Sequence, residues 1–182
     1  MENDLPCQLS FTTIRQRVLL AIQCFYVHDR YLIETEIQEC AISHRLAVYI
    51  EQQFAGWHVD CEFNKNGNDP KLAEIAVKSK RPDIIVHVRG PQGPNCLAVE
   101  IKKAATINTI DRDKCRRYVT ELRYAWAVCV SFQSSSANLE WQSGKRKRFE
   151  LDDLNCPILI EATMADEQMA KEPGRKKKGG GE

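Results

Sequence analysis

The chain has 182 residues, 43% hydrophobic and 28% charged, which suits one soluble domain with its own core, with or without a tail. Lys plus Arg number 26 against 25 Asp plus Glu, and the net charge of +1 excludes a histone-like polycation and an acidic disordered chain. No apolar run approaches the roughly 18 to 20 residues of a membrane span. The polar start MENDLPCQLS also lacks the basic and apolar parts of a signal peptide, so a cytoplasmic chain that meets no membrane is expected. Eight cysteines are scattered from Cys7 to Cys156 with no CxxC pair. In a reducing compartment they read as small buried hydrophobes rather than disulfides or a zinc site.

From residue 11 to about 33, apolar residues recur at Ile14, Val18, Leu19, Ile22, Phe25 and Tyr26. These steps of three and four predict a helix with one buried stripe. A second helical pattern runs from about 36 to 54 and stops at Gly56, a residue free to take positive φ. The period then falls to two. Residues 57–63 (WHVDCEF) alternate apolar and polar, as a half-buried strand does, and NKNGND follows as a turn. Residues 81–89 (RPDIIVHVR) and 96–102 (CLAVEIK) predict two more strands joined through GPQGPN. Helical spacing returns at 111–124 through Cys115, Tyr118, Val119 and Leu122. Residues 126–132 (WAVCVSF), apolar almost throughout, predict a buried central strand. A polar SSSAN connection leads to 139–151, a charged edge strand or hairpin. Beyond about Ala165 the apolar content drops away, and the end GRKKKGGGE reads as a disordered basic tail. The expectation is a single α/β domain over residues 1–164, with a mixed sheet: a three-strand meander, a crossover helix and a further strand, flanked by helices.

The informative pattern is Pro82-Asp83 opening one predicted strand and Glu100-Ile101-Lys102 closing the next. Side chains alternate along a strand, so Glu100 and Lys102 share a face. A hairpin neighbour about 4.8 Å away brings Asp83 to the same spot. Two carboxylates, the Ile101 carbonyl and a phosphate oxygen suit Mg²⁺, a hard cation that keeps several waters. Mn²⁺ accepts the same oxygen ligands. A lysine beside them orients or deprotonates an attacking water and offsets phosphate charge. The structural alternative makes Asp83 a strand-start residue and Glu100 with Lys102 a surface ion pair.

RPD, 16 intervening residues and EIK on adjacent predicted strands resembles the PD-(D/E)XK nuclease superfamily, with its restriction-endonuclease-like fold. The resemblance covers roughly residues 36–132, in element order as well as motif. It implies Mg²⁺-dependent hydrolysis of phosphodiester bonds in DNA, with Asp83 and Glu100 as metal ligands and Lys102 positioning or activating the water. It also implies an acidic residue on the helix before the meander. Glu39 is the best match and Glu36 the second choice, holding a second metal or a water on the metal. The same fold without activity would serve as a module that binds nucleic acid or a protein partner.

Lys103, Arg112 and Arg116, with Lys145 and Arg146 in the KRKR block, are candidates to neutralise DNA phosphates without reading bases. Their alternative is a solvated helix face and a charged edge strand. A homodimer would set two sites on two strands, and the pattern leaves that open. Asp60 and Glu62 read as a solvated face, with Glu62 a candidate auxiliary acid, His44 as a helix-surface residue and His87 as packed. From Lys171 onward five basic and two acidic residues give the tail about +3, leaving the body near −2, so net charge is a poor guide to the partner.

Overall fold

The computed structural model describes residues 7–35, 37–62, 65–66, 69–70, 81–90, 93–143 and 158–159. The expected tail, the KRKR block and Glu36 lie outside them.

Helix α1 (Phe11–Asp29) opens where the Ser10 side chain accepts the Thr13 N–H at 3.1 Å, satisfying one of the orphan donors of a helix start. Its apolar stripe of Ile14, Val18, Ala21, Ile22, Phe25 and Tyr26 is buried. The single helix expected to Ile33 breaks at Arg30. There the ladder tightens, Ile33 N–H donating to the Arg30 carbonyl at 2.8 Å, and the one-turn α2 (Tyr31–Glu34) follows. Helix α3 (Glu39–Gln53) packs against α1, and Gly56, at φ +83°, lets the chain turn away after it.

Strand β1 (His58–Cys61) comes next, then a two-stranded pair of β2 (Lys65–Asn66) with β3 (Asp69–Pro70) where a turn was expected. Strands β4 (Ile84–His87) and β5 (Asn95–Lys102) form the predicted hairpin. In its loop Gly93 approaches the chain so closely that a Cβ there would lie 1.7 Å from the Val88 carbonyl oxygen. Helix α4 (Thr109–Thr120) starts with a capping box. Asn108 Oδ1 accepts the Asp111 N–H at 3.0 Å, and Asp111 accepts the Asn108 N–H at 3.4 Å. Strands β6 (Trp126–Phe132), β7 (Ser136–Ser143) and β8 (Ile158–Leu159) complete the described elements.

One six-stranded mixed sheet runs in the order β1-β4-β5-β6-β7-β8. β1, β4 and β5 are the antiparallel meander, β5 and β6 are parallel through α4, and β7 and β8 return antiparallel. The α/β class with a mixed sheet is as expected. The strand expected from 139 starts earlier, at Ser136 inside the expected polar connection. β8 pairs with Ser136 and Ala137, while 139–143 pair with β6 and 144–151 lie outside the described residues. The alternating burial of β7 shows why a polar run can be a strand, since Ala137, Leu139 and Trp141 turn inward and the polar residues outward.

The sheet's faces divide the core. Ile84, Val86, Leu97, Val99, Ile101, Val128 and Val130 pack under α1 and α3, each full burial contributing about 1.5–3 kcal/mol. Ile85, Ala98, Ala127 and Cys129 face α4 and meet its Cys115, Tyr118 and Val119. The small Ala98 and Ala127 lie under that helix, and on this face Asp83, Glu100 and Lys102 gather. Among the described residues no helix is long and apolar enough to cross a membrane.

Candidate metal and catalytic site

Asp83 directly precedes β4. The register that pairs Ile84 with Val99 brings it beside Glu100 one step further on. Its Oδ2 accepts the Ile101 N–H at 2.6 Å, and its carbonyl accepts the Glu62 N–H at 3.1 Å, so backbone from both neighbouring strands fixes its place. Burial, with the charge of Glu100 added, pushes the Asp83 carboxyl up to about 6, against the opposing Ile101 N–H and the lysines Lys102 and Lys114.

Glu100, only 2% exposed, projects from β5 toward α4. A buried carboxylate is costly unless paired, and this one is paired on both oxygens. Tyr118 O–H donates to Oε2 at 2.7 Å, the Lys114 ammonium sits on Oε1, and Lys102 Nζ lies 3.3 Å from Oε1. Desolvation and the negative Glu100 hold the Tyr118 phenol far above its ordinary value, so it stays a donor.

Lys102 Nζ faces three carboxylates, at 3.3 Å from Glu100, 3.5 Å from Glu39 and 3.9 Å from Asp111. Burial alone would lower its pKa, but Glu100 and Glu39 outweigh that and raise it above the ordinary lysine value. A lysine so held is a fixed cation, suited to orienting a water and offsetting charge rather than to abstracting a proton. Glu39, the first residue of α3, accepts the Lys103 N–H on Oε1 at 2.9 Å and stands where a helix N-terminus favours an anion. The four expected residues are thus brought together at the ends of β4, β5 and α3.

Three further members escaped the sequence reading. Lys114 and Tyr118 lie four apart on one face of α4, a spacing that acquires meaning only once that face covers Glu100. Asp111, 3% exposed, both caps α4 and faces Lys102.

Two of the expected phosphate contacts, Arg112 and Arg116, already have carboxylate partners. Arg112 makes a two-pronged pair with Glu140, Nε to Oε2 at 2.6 Å and a terminal nitrogen to Oε1 at 2.7 Å. Arg116 pairs with Asp113 at 2.8 Å, whereas Lys103 gives Glu39 its main-chain N–H and not its ammonium. Lys145 and Arg146 lie outside the described residues. Asp60 is not the solvated acid expected. It shares the α4 face with Ile85 and is clamped between His87 Nε2, at 2.7 Å, and the Arg89 guanidinium. His87 is buried, as expected, and Glu62 and His44 are exposed.

Among the described residues no three or more His, Cys, Asp or Glu side chains gather as a protein-only metal cage. Asp83 and Glu100 supply two carboxylates, a number Mg²⁺ accepts when waters and substrate oxygens complete its shell. Burial, then the Glu100 charge, raises the Asp83 carboxyl, and a divalent cation between the two carboxylates would offset the second of these. In donor type Asp83 and Glu100 suit the metal, with Lys114, Lys102 and Tyr118 on the Glu100 oxygens in this structure. Comparison of the chain with family models, curated proteins and solved structures returns no match.

Proposed function

We propose that the protein is a Mg²⁺-dependent nuclease of the PD-(D/E)XK type, hydrolysing phosphodiester bonds in DNA in the cytoplasm. The observation that carries this reading is Lys102, whose ammonium stands among Glu100, Glu39 and Asp111 on the strand end next to Asp83. Asp83, Glu100 and the Ile101 carbonyl would hold Mg²⁺ or Mn²⁺. When bound, that ion supplies Lewis-acid polarisation of a phosphoryl oxygen and a more acidic water. Lys102 orients the attacking water toward phosphorus and offsets the charge that builds in the transition state. Glu39 steadies Lys102, and Lys103, Arg112, Arg116, Lys145 and Arg146 serve the DNA backbone.

The test is incubation with plasmid and single-stranded DNA, with Mg²⁺, with Mn²⁺ and with chelator. Metal-dependent cleavage should fall by about 100-fold or more in Asp83→Ala and Lys102→Ala. Cleavage surviving in both variants would expose a contaminant and sink the reading. A second reading is a nuclease-fold module without activity, and the Lys114 ammonium on Glu100 favours it by neutralising a metal ligand from within. DNA retained on a filter with no cleavage under any metal would select that reading.

A further inference from the structure

We propose that Lys114 is a built-in counter-ion of Glu100, standing in for the divalent cation in the metal-free protein and leaving the carboxylate when the cation binds. This inference rests on the metal-site reading above and adds how the site is controlled.

Glu100 has little unsatisfied capacity. Oε1 carries Lys114 and lies 3.3 Å from Lys102 Nζ, while Oε2 takes the Tyr118 hydroxyl. With Glu39 and Asp111 counted, four carboxylates and two ammoniums leave the site negative, so a divalent cation is drawn in but finds both ammoniums on the Glu100 oxygen it would share. One ammonium has to move. Lys102 is held by Glu39 and Asp111 besides Glu100, whereas among the described residues the ion pair of Lys114 is with Glu100. Lys114 also sits on a four-carbon stem rooted on α4, outside the sheet, and can swing without disturbing the strands. Its side chain is 12% exposed, so departure from Glu100 carries the ammonium toward solvent. There it is available to a DNA phosphate. Metal and DNA would therefore each favour the other's binding, because the metal releases the lysine that the phosphate takes up.

The experiment uses the full chain and Mn²⁺ alone as probe. Calorimetric titration should show Lys114→Met and Lys114→Gln binding Mn²⁺ about tenfold more tightly than the wild type. Both should melt lower without metal and rise further in Tm when Mn²⁺ is added. Because either variant could fold poorly, the wild type is also acetylated with an N-hydroxysuccinimide ester and its lysines mapped by mass spectrometry. Labelling of Lys114 should rise several-fold at saturating Mn²⁺, while that of Lys102 stays low. Mn²⁺ binding with unchanged Lys114 labelling, or variants that bind Mn²⁺ no better than the wild type, overturns the inference and leaves the metal site standing. Absence of Mn²⁺ binding in the wild type and both variants overturns the metal-site reading and the inference with it.

Discussion

The Tyr118 hydroxyl on α4 donates to Glu100 Oε2 on β5 at 2.7 Å, closing the crossover helix over the strand end that carries the motif. Both groups are buried, so the bond has little competition from water. Tyr118→Phe keeps the ring and removes only the donor. It should cost about 1.5–3 kcal/mol in urea unfolding, the range for a hydrogen bond to a charged partner lost in the interior. A cost below about 0.5 kcal/mol would mean that another donor satisfies Glu100 and that Tyr118 is packing alone.

Asp83 gives the metal-free protein an unusual pH response. Burial beside Glu100 raises its carboxyl to about 6 in the folded state, above the ordinary 3.8. The folded chain therefore binds this proton more readily than the unfolded chain does, and stability falls as pH rises from about 4 to about 6, by on the order of 2 kcal/mol. Two other acids act outside that window. Against the pull of burial, Tyr49 and Arg45 hold Asp29 low, and Arg89 holds Asp60 low, so their contributions are lost only below about pH 4. Urea unfolding in chelator at pH 4.5, 5.5 and 6.5 should show the decline in wild type and its absence in Asp83→Asn. A flat profile in the wild type would remove the like-charge pair from the site.

The motif was legible because strand geometry is simple. A period of two and a hairpin place Asp83, Glu100 and Lys102 together, and 126–132 came out as β6 to the residue because an apolar run between turns has few alternatives. What was illegible depends on which helix face covers which strand. Lys114 and Tyr118 looked like any charged and aromatic residue of an amphipathic helix, and Ala98 and Ala127, which lie under α4, carry no chemistry of their own. Glu140 was hidden in a strand that begins in serines. The basic residues were read by sign alone, whereas their carboxylate partners lie up to 28 positions away. The break at Arg30 has no proline or glycine to announce it, and the apolar spacing continues through Ile33.

Cys7 and Cys96 place their sulfur atoms 2.7 Å apart, joining the segment before α1 to β5. The Cys96 thiol stabilises a thiolate at Cys7, which outweighs burial and holds the Cys7 thiol below its ordinary value. Iodoacetamide should therefore label Cys7 with a rate that rises through a midpoint below that of an ordinary thiol. Cys96→Ala removes the partner and should move that midpoint up, toward the ordinary thiol near 8.5. Peptide mapping separates Cys7 from the exposed Cys40 and Cys61. A midpoint unmoved by Cys96→Ala would show that the two sulfurs do not interact.

Arg112 shows how the DNA reading can be tested away from the metal. Its paired bonds to Glu140 are well aligned but only partly sheltered, with the Arg112 side chain 41% exposed, so solvent screening leaves the pair little weight in stability. A phosphate that reaches Arg112 has to compete with that carboxylate. Glu140→Gln weakens the competitor while keeping the shape of the strand surface. DNA retention at low salt should rise several-fold, and the plot of log affinity against log salt should steepen by about 0.9, the slope of one further phosphate neutralised. The double variant Arg112→Ala with Glu140→Gln separates this from a general increase in positive charge, since it should return the slope to that of the wild type. If Glu140→Gln alone changes neither retention nor slope, the DNA backbone does not pass over Arg112, and the Arg112–Glu140 pair is a structural clamp between α4 and β7.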